Sequence, residues 1–130
     1  VTPAQALEAD ADVYAPCALG GVLDHETAPR AGARIIAGGA NNQLADESVA
    51  EVLAGRGILW APDFVCNAGG IINLSVELDG PYEPARARER LSTIGRTLRR
   101  VFADADAEGT TPLLAARALA HERLAAPPAA

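Results

Sequence analysis

The sequence predicts an α/β fold built on a short parallel sheet. Three apolar runs, "VYAPCA", "ARIIAGGAN" and "ILWAPDFV", have the length and the β-branched or aromatic content of strands. An amphipathic helical stretch separates the second run from the third, which is the alternation of parallel βαβ units with right-handed crossovers. After Gly70 only helical periodicity remains, so helices follow the sheet instead of alternating with it.

The elements follow in order. Thr2-Pro3-Ala4-Gln5 reads as a helix start: Thr2 can cap, Pro3 suits the first helical position, and Gln5 completes a capping box. This helix is short and ends by "EADAD". "VYAPCA" is the first strand, with Pro16 near its C-terminal end. "LGGVLDHETAPRAG" is a loop with a short helix, closed by Pro29 and Gly32. "ARIIAGGAN" is the second strand, ended by Gly38-Gly39. "LADESVAEVLAGRG" is the amphipathic helix, with Asp46 as its cap, Val49, Val52 and Leu53 on one face, and Gly57 beyond its end. "ILWAPDFV" is the third strand, and Asn67-Ala-Gly-Gly70 is the turn into the helix "IINLSVEL", which stops at Asp79-Gly80-Pro81. From Glu83 to Ala107, Leu91, Ile94, Leu98, Val101 and Phe102 recur at helical spacing with arginines opposite, for which a core stripe is the default reading. Thr111-Pro112 opens a last helix through Leu124. Residues 125–130, "AAPPAA", are expected to be a disordered tail. No internal repeat and no linker divides the chain.

Bulk composition narrows the function classes. The chain has 130 residues, 49% hydrophobic and 22% charged, an ordinary globular balance and enough for a modest core. A net charge of -6 argues against a nucleic-acid or anionic-membrane surface. No apolar run has the length of a membrane span, and no basic-then-apolar leader is visible. The two cysteines, Cys17 and Cys66, form neither a CxxC pair nor a zinc-spaced cluster, and both end apolar runs. They are expected to be reduced, buried thiols of an intracellular protein. All eleven basic residues are Arg, so no mechanism that needs a lysine amine can be completed by this chain.

Ligands of an open parallel sheet bind outside the carboxyl ends of the strands. Three segments fall there: "PCALGG", "GGANNQ" and "NAGG". Each combines Gly with small or amide residues. Gly lets backbone approach a ligand closely, and Asn and Gln present donors and acceptors without charge. That chemistry suits a carboxamide, ribose hydroxyls or a carboxylate, and it does not suit a metal. One such loop alone is more often a plain turn; three at one sheet edge favour a site. None is a phosphate loop, because both the G-x-G-x-x-G fingerprint and the G-x-x-x-x-G-K-[ST] loop are absent.

"ADVYAPCALGGVLD", "IIAGGANNQLAD", "GILWAPDFVCNAGGIIN" and the Arg-rich helix after them resemble the C-terminal part of the NAD-dependent leucine, valine and phenylalanine dehydrogenases, within the wider glutamate dehydrogenase superfamily. The resemblance runs from about Thr2 to Leu124, with the motifs in the family's order and spacing. It implies oxidative deamination of a branched-chain or aromatic L-amino acid to a 2-oxo acid, ammonia and NADH. It further implies that residues 1–74 are the second half of a Rossmann-type NAD-binding domain, and that 75–124 are helices returning toward a substrate domain. The family's glycine fingerprint, ribose-binding acidic residue, catalytic lysines and aspartate have no counterpart here, so no catalytic residue is carried over.

Carried across residue by residue, the resemblance places Cys17, Ala18 and Leu19 on the nicotinamide side of NAD, largely through backbone, with Ala40, Asn41 and Asn42 beside them. Asn67 falls between nicotinamide and substrate. Leu91 and Ile94 fall where the family lines the substrate's side-chain pocket, although core packing explains their spacing equally well. Gly69 and Gly70 become the turn that lets backbone pass the nicotinamide. The resemblance also implies a cytoplasmic homo-oligomer acting on small molecules, with neither nucleic acid nor membrane as partner. The Val1 start fits a truncated sequence or a split gene. Two other readings stand beside this one: a non-catalytic α/β module that binds a small ligand or a partner at the same edge, and a related oxidoreductase with another substrate. For the chain alone, the apolar edge of "VYAPCA" is expected to lack its usual neighbour and to invite association.

Overall fold

The computed structural model describes residues 1–126. The expected disordered tail lies largely outside them. Three parallel strands form one sheet in the order β1 (Val13–Tyr14), β2 (Ile35–Ile36), β3 (Leu59–Trp60). Val13, Ile35 and Leu59 share one row of the register, and Tyr14, Ile36 and Trp60 share the next. Side chains alternate across a strand, so the two rows point to opposite faces. The Tyr14–Ile36–Trp60 face is covered: Ile36 and Trp60 are buried against Leu7 of α1 (Pro3–Glu8), Leu23, and Val49 and Leu53 of α2 (Val49–Gly55). Each fully buried Leu, Ile or Val of this layer stabilises the fold by roughly 1.5–3 kcal/mol.

Local signals explain most element ends. The capping box at α1 is present: Thr2 Oγ1 accepts from the Gln5 N–H at 3.2 Å, and the Thr2 N–H donates to Gln5 Oε1 at 2.8 Å. A 3-10 turn at Ala28–Arg30 closes the loop before β2, and Arg56 anchors it by donating to the carbonyls of Ala28 and Ala31 at 3.1 and 2.8 Å. Asp46 does not cap α2 directly. The cap position is Ser48, and Asp46 accepts from the Ser48 N–H at 2.9 Å in a turn one step earlier. Gly57, with φ +71°, carries the chain out of that helix into β3.

The third strand is shorter than the sequence predicts. It ends at Trp60, and Asp63–Cys66 form a helical turn, α3. Pro62 begins the turn, and the Asp63 carboxylate accepts the Phe64 N–H at 2.7 Å, so the backbone donors are satisfied locally instead of by a sheet partner. Gly69 and Gly70 are likewise not a turn. They are the first residues of α4 (Gly69–Leu78), and neither has a positive φ. The segment read as helical from Glu83 to Ala107 is two helices, α5 (Pro84–Leu91) and α6 (Thr93–Glu108), divided at Ser92. Gly109 ends α6 in the left-handed conformation, and α7 (Pro112–Ala125) starts with the Thr111 side chain accepting from the Leu114 N–H. A second small core joins α6 and α7 through Val101, Ala105, Ala115, Ala116 and Leu119, with Val65 of α3 packed against it.

Candidate functional site

The three loops after the strands meet at the carboxyl edge of the sheet. The Ala40 N–H donates to the Pro16 carbonyl at 2.9 Å, joining the loops that follow β1 and β2. Gly38 is required at this crossing, since a Cβ there would lie 2.2 Å from the Pro16 carbonyl oxygen. Gly20 is in a similar position, with a virtual Cβ 2.6 Å from the Asn41 carbonyl oxygen. A short parallel bridge at Leu23 and Leu44 extends the contact: the Gly21 N–H donates to Asn42 O at 2.7 Å, and the Leu23 N–H to Gln43 O at 3.0 Å. Asn42 holds φ +52°, a left-handed position that Asn tolerates better than most residues.

Asn67 caps the C-terminal end of α3 and faces the second loop. Its Nδ2 donates to Asn41 Oδ1 at 2.6 Å and to the Ala40 carbonyl at 3.3 Å. Among the described residues no donor reaches Asn67 Oδ1, so a half-buried, oriented acceptor remains available. Ala18, Leu19, Asn41 and Asn42 of the first two loops are exposed, and Ala40 is buried.

Cys17 is exposed at this edge and not buried, as "VYAPCA" had implied. The two-residue strand ends at Tyr14, and Pro16 takes the chain off the sheet, so Cys17 lies on the loop. Its sulfur accepts the Gly39 N–H at 3.3 Å. Cys66 is half-buried on α3. Burial pushes its thiol above the ordinary 9.0, partly offset by a hydrogen bond from the Gly38 backbone, with Asp63 and Cys17 adding to the rise. A thiol raised in this way is held in its protonated form at neutral pH.

Leu91 and Ile94 lie on the far side of the α3–α4 junction, against residues next to Asn67. Leu91 Cδ2 is 3.6 Å from where a Gly69 Cβ would stand. Ile94 lines an open cavity of about 210 Å³ with Phe64, Val65, Ala68, Ile72 and Leu119, so of the three loops only the third reaches it, through Ala68. Sequence reasoning missed Gln43 and Asp63, the buried polar pair under the loops. The Gln43 N–H donates to Asp63 Oδ2 at 2.7 Å, and the Gln43 side chain is bonded to Gly38, Ala40 and Trp60. Nothing in the local pattern separates Gln43 from its exposed Asn neighbours.

The edge therefore offers oriented amide groups and close backbone, with the Asp63 carboxylate buried beneath the loops. Such a donor set fits the carboxamide and ring of a nicotinamide cofactor. Comparison with known proteins gives the family. The chain is 46% identical over 114 residues to valine dehydrogenase of Streptomyces coelicolor, covering 88% of this chain and 31% of that protein. It is 42% identical over 125 residues to leucine dehydrogenase of Bacillus cereus, covering 96% and 34%. The crystal structure of L-tryptophan dehydrogenase from Nostoc punctiforme superposes with a TM-score of 0.90 at 45% identity, over 95% of this chain and 37% of that one. Hetero-hexameric glutamate dehydrogenase from Thermus thermophilus, in a leucine-bound form, gives 0.75 at 30% identity, over 95% and 31%. The chain spans about a third of the length of the curated relatives it matches. With residues 1–127 matching the family's model over nearly their whole extent, the chain belongs to the glutamate/leucine/phenylalanine/valine dehydrogenase family.

Proposed function

We propose that this chain works within an NAD-dependent L-amino-acid dehydrogenase and supplies the nicotinamide-side contacts of its cofactor. The reaction is oxidative deamination of a branched-chain or aromatic L-amino acid to the 2-oxo acid, ammonia and NADH. One observation carries the reading. Asn67 is fixed through both protons of its amide nitrogen, while its Oδ1 stays open at the edge formed by Cys17, Ala18, Leu19, Ala40, Asn41 and Asn42.

NAD, when bound, supplies the hydride acceptor. The chain's own residues do the positioning. Asn67 Oδ1 accepts from the carboxamide of the cofactor or from the substrate's amino group, and the backbone of residues 17–19 and 40–42 confines the ring. Hydride transfer requires two carbons held close and aligned, so this positioning is most of what protein contributes to the step. Proton transfer falls to a lysine elsewhere in the whole enzyme, because this chain has none. Leu91 and Ile94 border the substrate's side chain in this reading, and the whole enzyme is a cytoplasmic homo-oligomer.

The test begins with the reading frame upstream of Val1. It should encode a G-x-G-x-x-G loop, an acidic residue after the next strand and a lysine-containing domain. The whole polypeptide should then reduce NAD with leucine, valine or phenylalanine. A frame without those features would leave a non-catalytic binding module as the better account, and a whole polypeptide with them but inert toward all three would favour a related oxidoreductase with another substrate.

A further inference from the structure

We infer that Gln43 is a positioning residue for this reaction: it fixes where Asn67 presents its open Oδ1. The inference rests on the functional reading above and goes beyond it, to a side chain that touches neither cofactor nor substrate. Gln43 is 0% exposed. A buried carboxamide lowers stability unless its polar atoms are matched, whereas an apolar side chain of similar size could fill the same space. Here every polar group of the side chain is used. Nε2 donates to the carbonyls of Gly38 and Ala40 at 2.9 and 3.0 Å, and Oε1 accepts from the Trp60 indole N–H at 3.1 Å.

Two routes run from Gln43 to Asn67. On the first, the Ala40 carbonyl accepts from Gln43 Nε2 at 3.0 Å and from Asn67 Nδ2 at 3.3 Å, so Gln43 orients the oxygen on which Asn67 rests. On the second, the Gln43 N–H donates to Asp63 Oδ2 at 2.7 Å, and the Asp63 carbonyl accepts the Asn67 N–H at 2.8 Å. The first route depends on the Gln43 carboxamide, whereas the second uses its backbone N–H, which Gln43→Met retains, so the test reads the first. Trp60 ties the arrangement to β3, the most regular support nearby. A reaction that depends on alignment loses rate when such a support loosens, without loss of any direct contact to the reacting groups.

A double-mutant cycle on kcat/KM in the whole dehydrogenase tests this, with thermal unfolding run in parallel. Asn67→Ala and Gln43→Met should each lower kcat/KM about tenfold, on the scale of one lost ligand hydrogen bond. The double variant should be down about tenfold and not about a hundredfold, because both changes disable one unit. Independent, multiplying losses would overturn the inference, and so would full activity in Gln43→Met. No effect of Asn67→Ala would overturn both this inference and the functional reading, so the two failures are distinguishable. If Gln43→Met does not fold, Trp60→Phe replaces it in the cycle, keeping the packed ring and removing only the indole donor. It should cost about threefold in the parent and nothing in the Asn67→Ala background. Equal losses in both backgrounds would refute the coupling.

Discussion

Asn67 Nδ2 lies 2.6 Å from Asn41 Oδ1, which ties the end of α3 to the loop after β2 across the carboxyl edge of the sheet. Asn41 is exposed and contributes little to the core. In the whole enzyme, Asn41→Ala should therefore lower kcat/KM by about two- to tenfold, the range of one hydrogen bond of about 0.5–1.5 kcal/mol. Its unfolding temperature should stay near that of the parent. A large drop in unfolding temperature with unchanged kinetics would mean that the pair serves only the fold.

The chain on its own should show no dehydrogenase activity. It contains no Lys and neither of the two glycine-rich phosphate loops, so it lacks both the general base and the phosphate grip that the reaction needs. Amino-acid-dependent NAD reduction by the purified 130-residue chain, above a blank, would contradict this.

Self-association is the next expectation. β1 is an edge strand, and one face of the sheet carries Val13, Ile35 and Leu59 in a single register row, 51%, 37% and 39% exposed. Parallel sheets are ordinarily covered on both faces. The isolated chain should sediment as concentration-dependent oligomers or aggregates at micromolar levels, and Ile35→Thr should reduce this. A sharp unfolding transition from a monomer, independent of concentration, would count against it.

Acid should weaken the attachment of α7. Arg117 on α7 forms a forked ion pair with Glu47, just ahead of α2, with one arm at 2.6 Å. The hydrogen bond from Arg117 holds the Glu47 carboxyl below its ordinary 4.5. A carboxyl lowered in the folded state contributes stability above its unfolded value and loses it as pH falls through the folded value. The unfolding midpoint of Arg117→Ala should thus lie below the parent's at pH 7 and converge with it as the pH falls through the lowered folded-state value of Glu47. The pair is exposed, so the difference should be small and should shrink in high salt. A gap that persists in acid would assign the effect to packing.

Gly38→Ala should damage the fold and the site together. Its Cβ would meet the Pro16 backbone at 2.2 and 2.6 Å, so one loop must move. A loss of about 1–3 kcal/mol in denaturant unfolding is expected, the usual cost of overpacking, together with weaker NADH binding by the whole enzyme. An unchanged denaturation midpoint would show that the loops are looser than this crossing implies.

Much of the fold was legible because it is written in local patterns. The capping box at Thr2, the amphipathic stripe of Val49, Val52 and Leu53, the left-handed glycine at 57, and Thr111-Pro112 each act within a few residues. Two of the misreadings share a cause. "ILWAPDFV" and "VYAPCA" are mostly apolar, and composition does not say where a strand yields to a helical turn or a loop. Pro62 and Asp63 end the first, and Pro16 ends the second, leaving Cys17 exposed.

The sequence by itself determined the α/β class, the family and the three polar loops that follow the strands. Those depend on periodicity, on turn chemistry and on motifs in order along one chain. Only the tertiary structure decided that Asn67 meets Asn41 and that Gln43, alone among its polar neighbours, is buried. The physical reason is distance along the chain. Asn67 and Asn41 are 26 residues apart, and Gln43 and Trp60 are 17 apart. Partners so far apart come together only once the sheet register has set each loop beside the next.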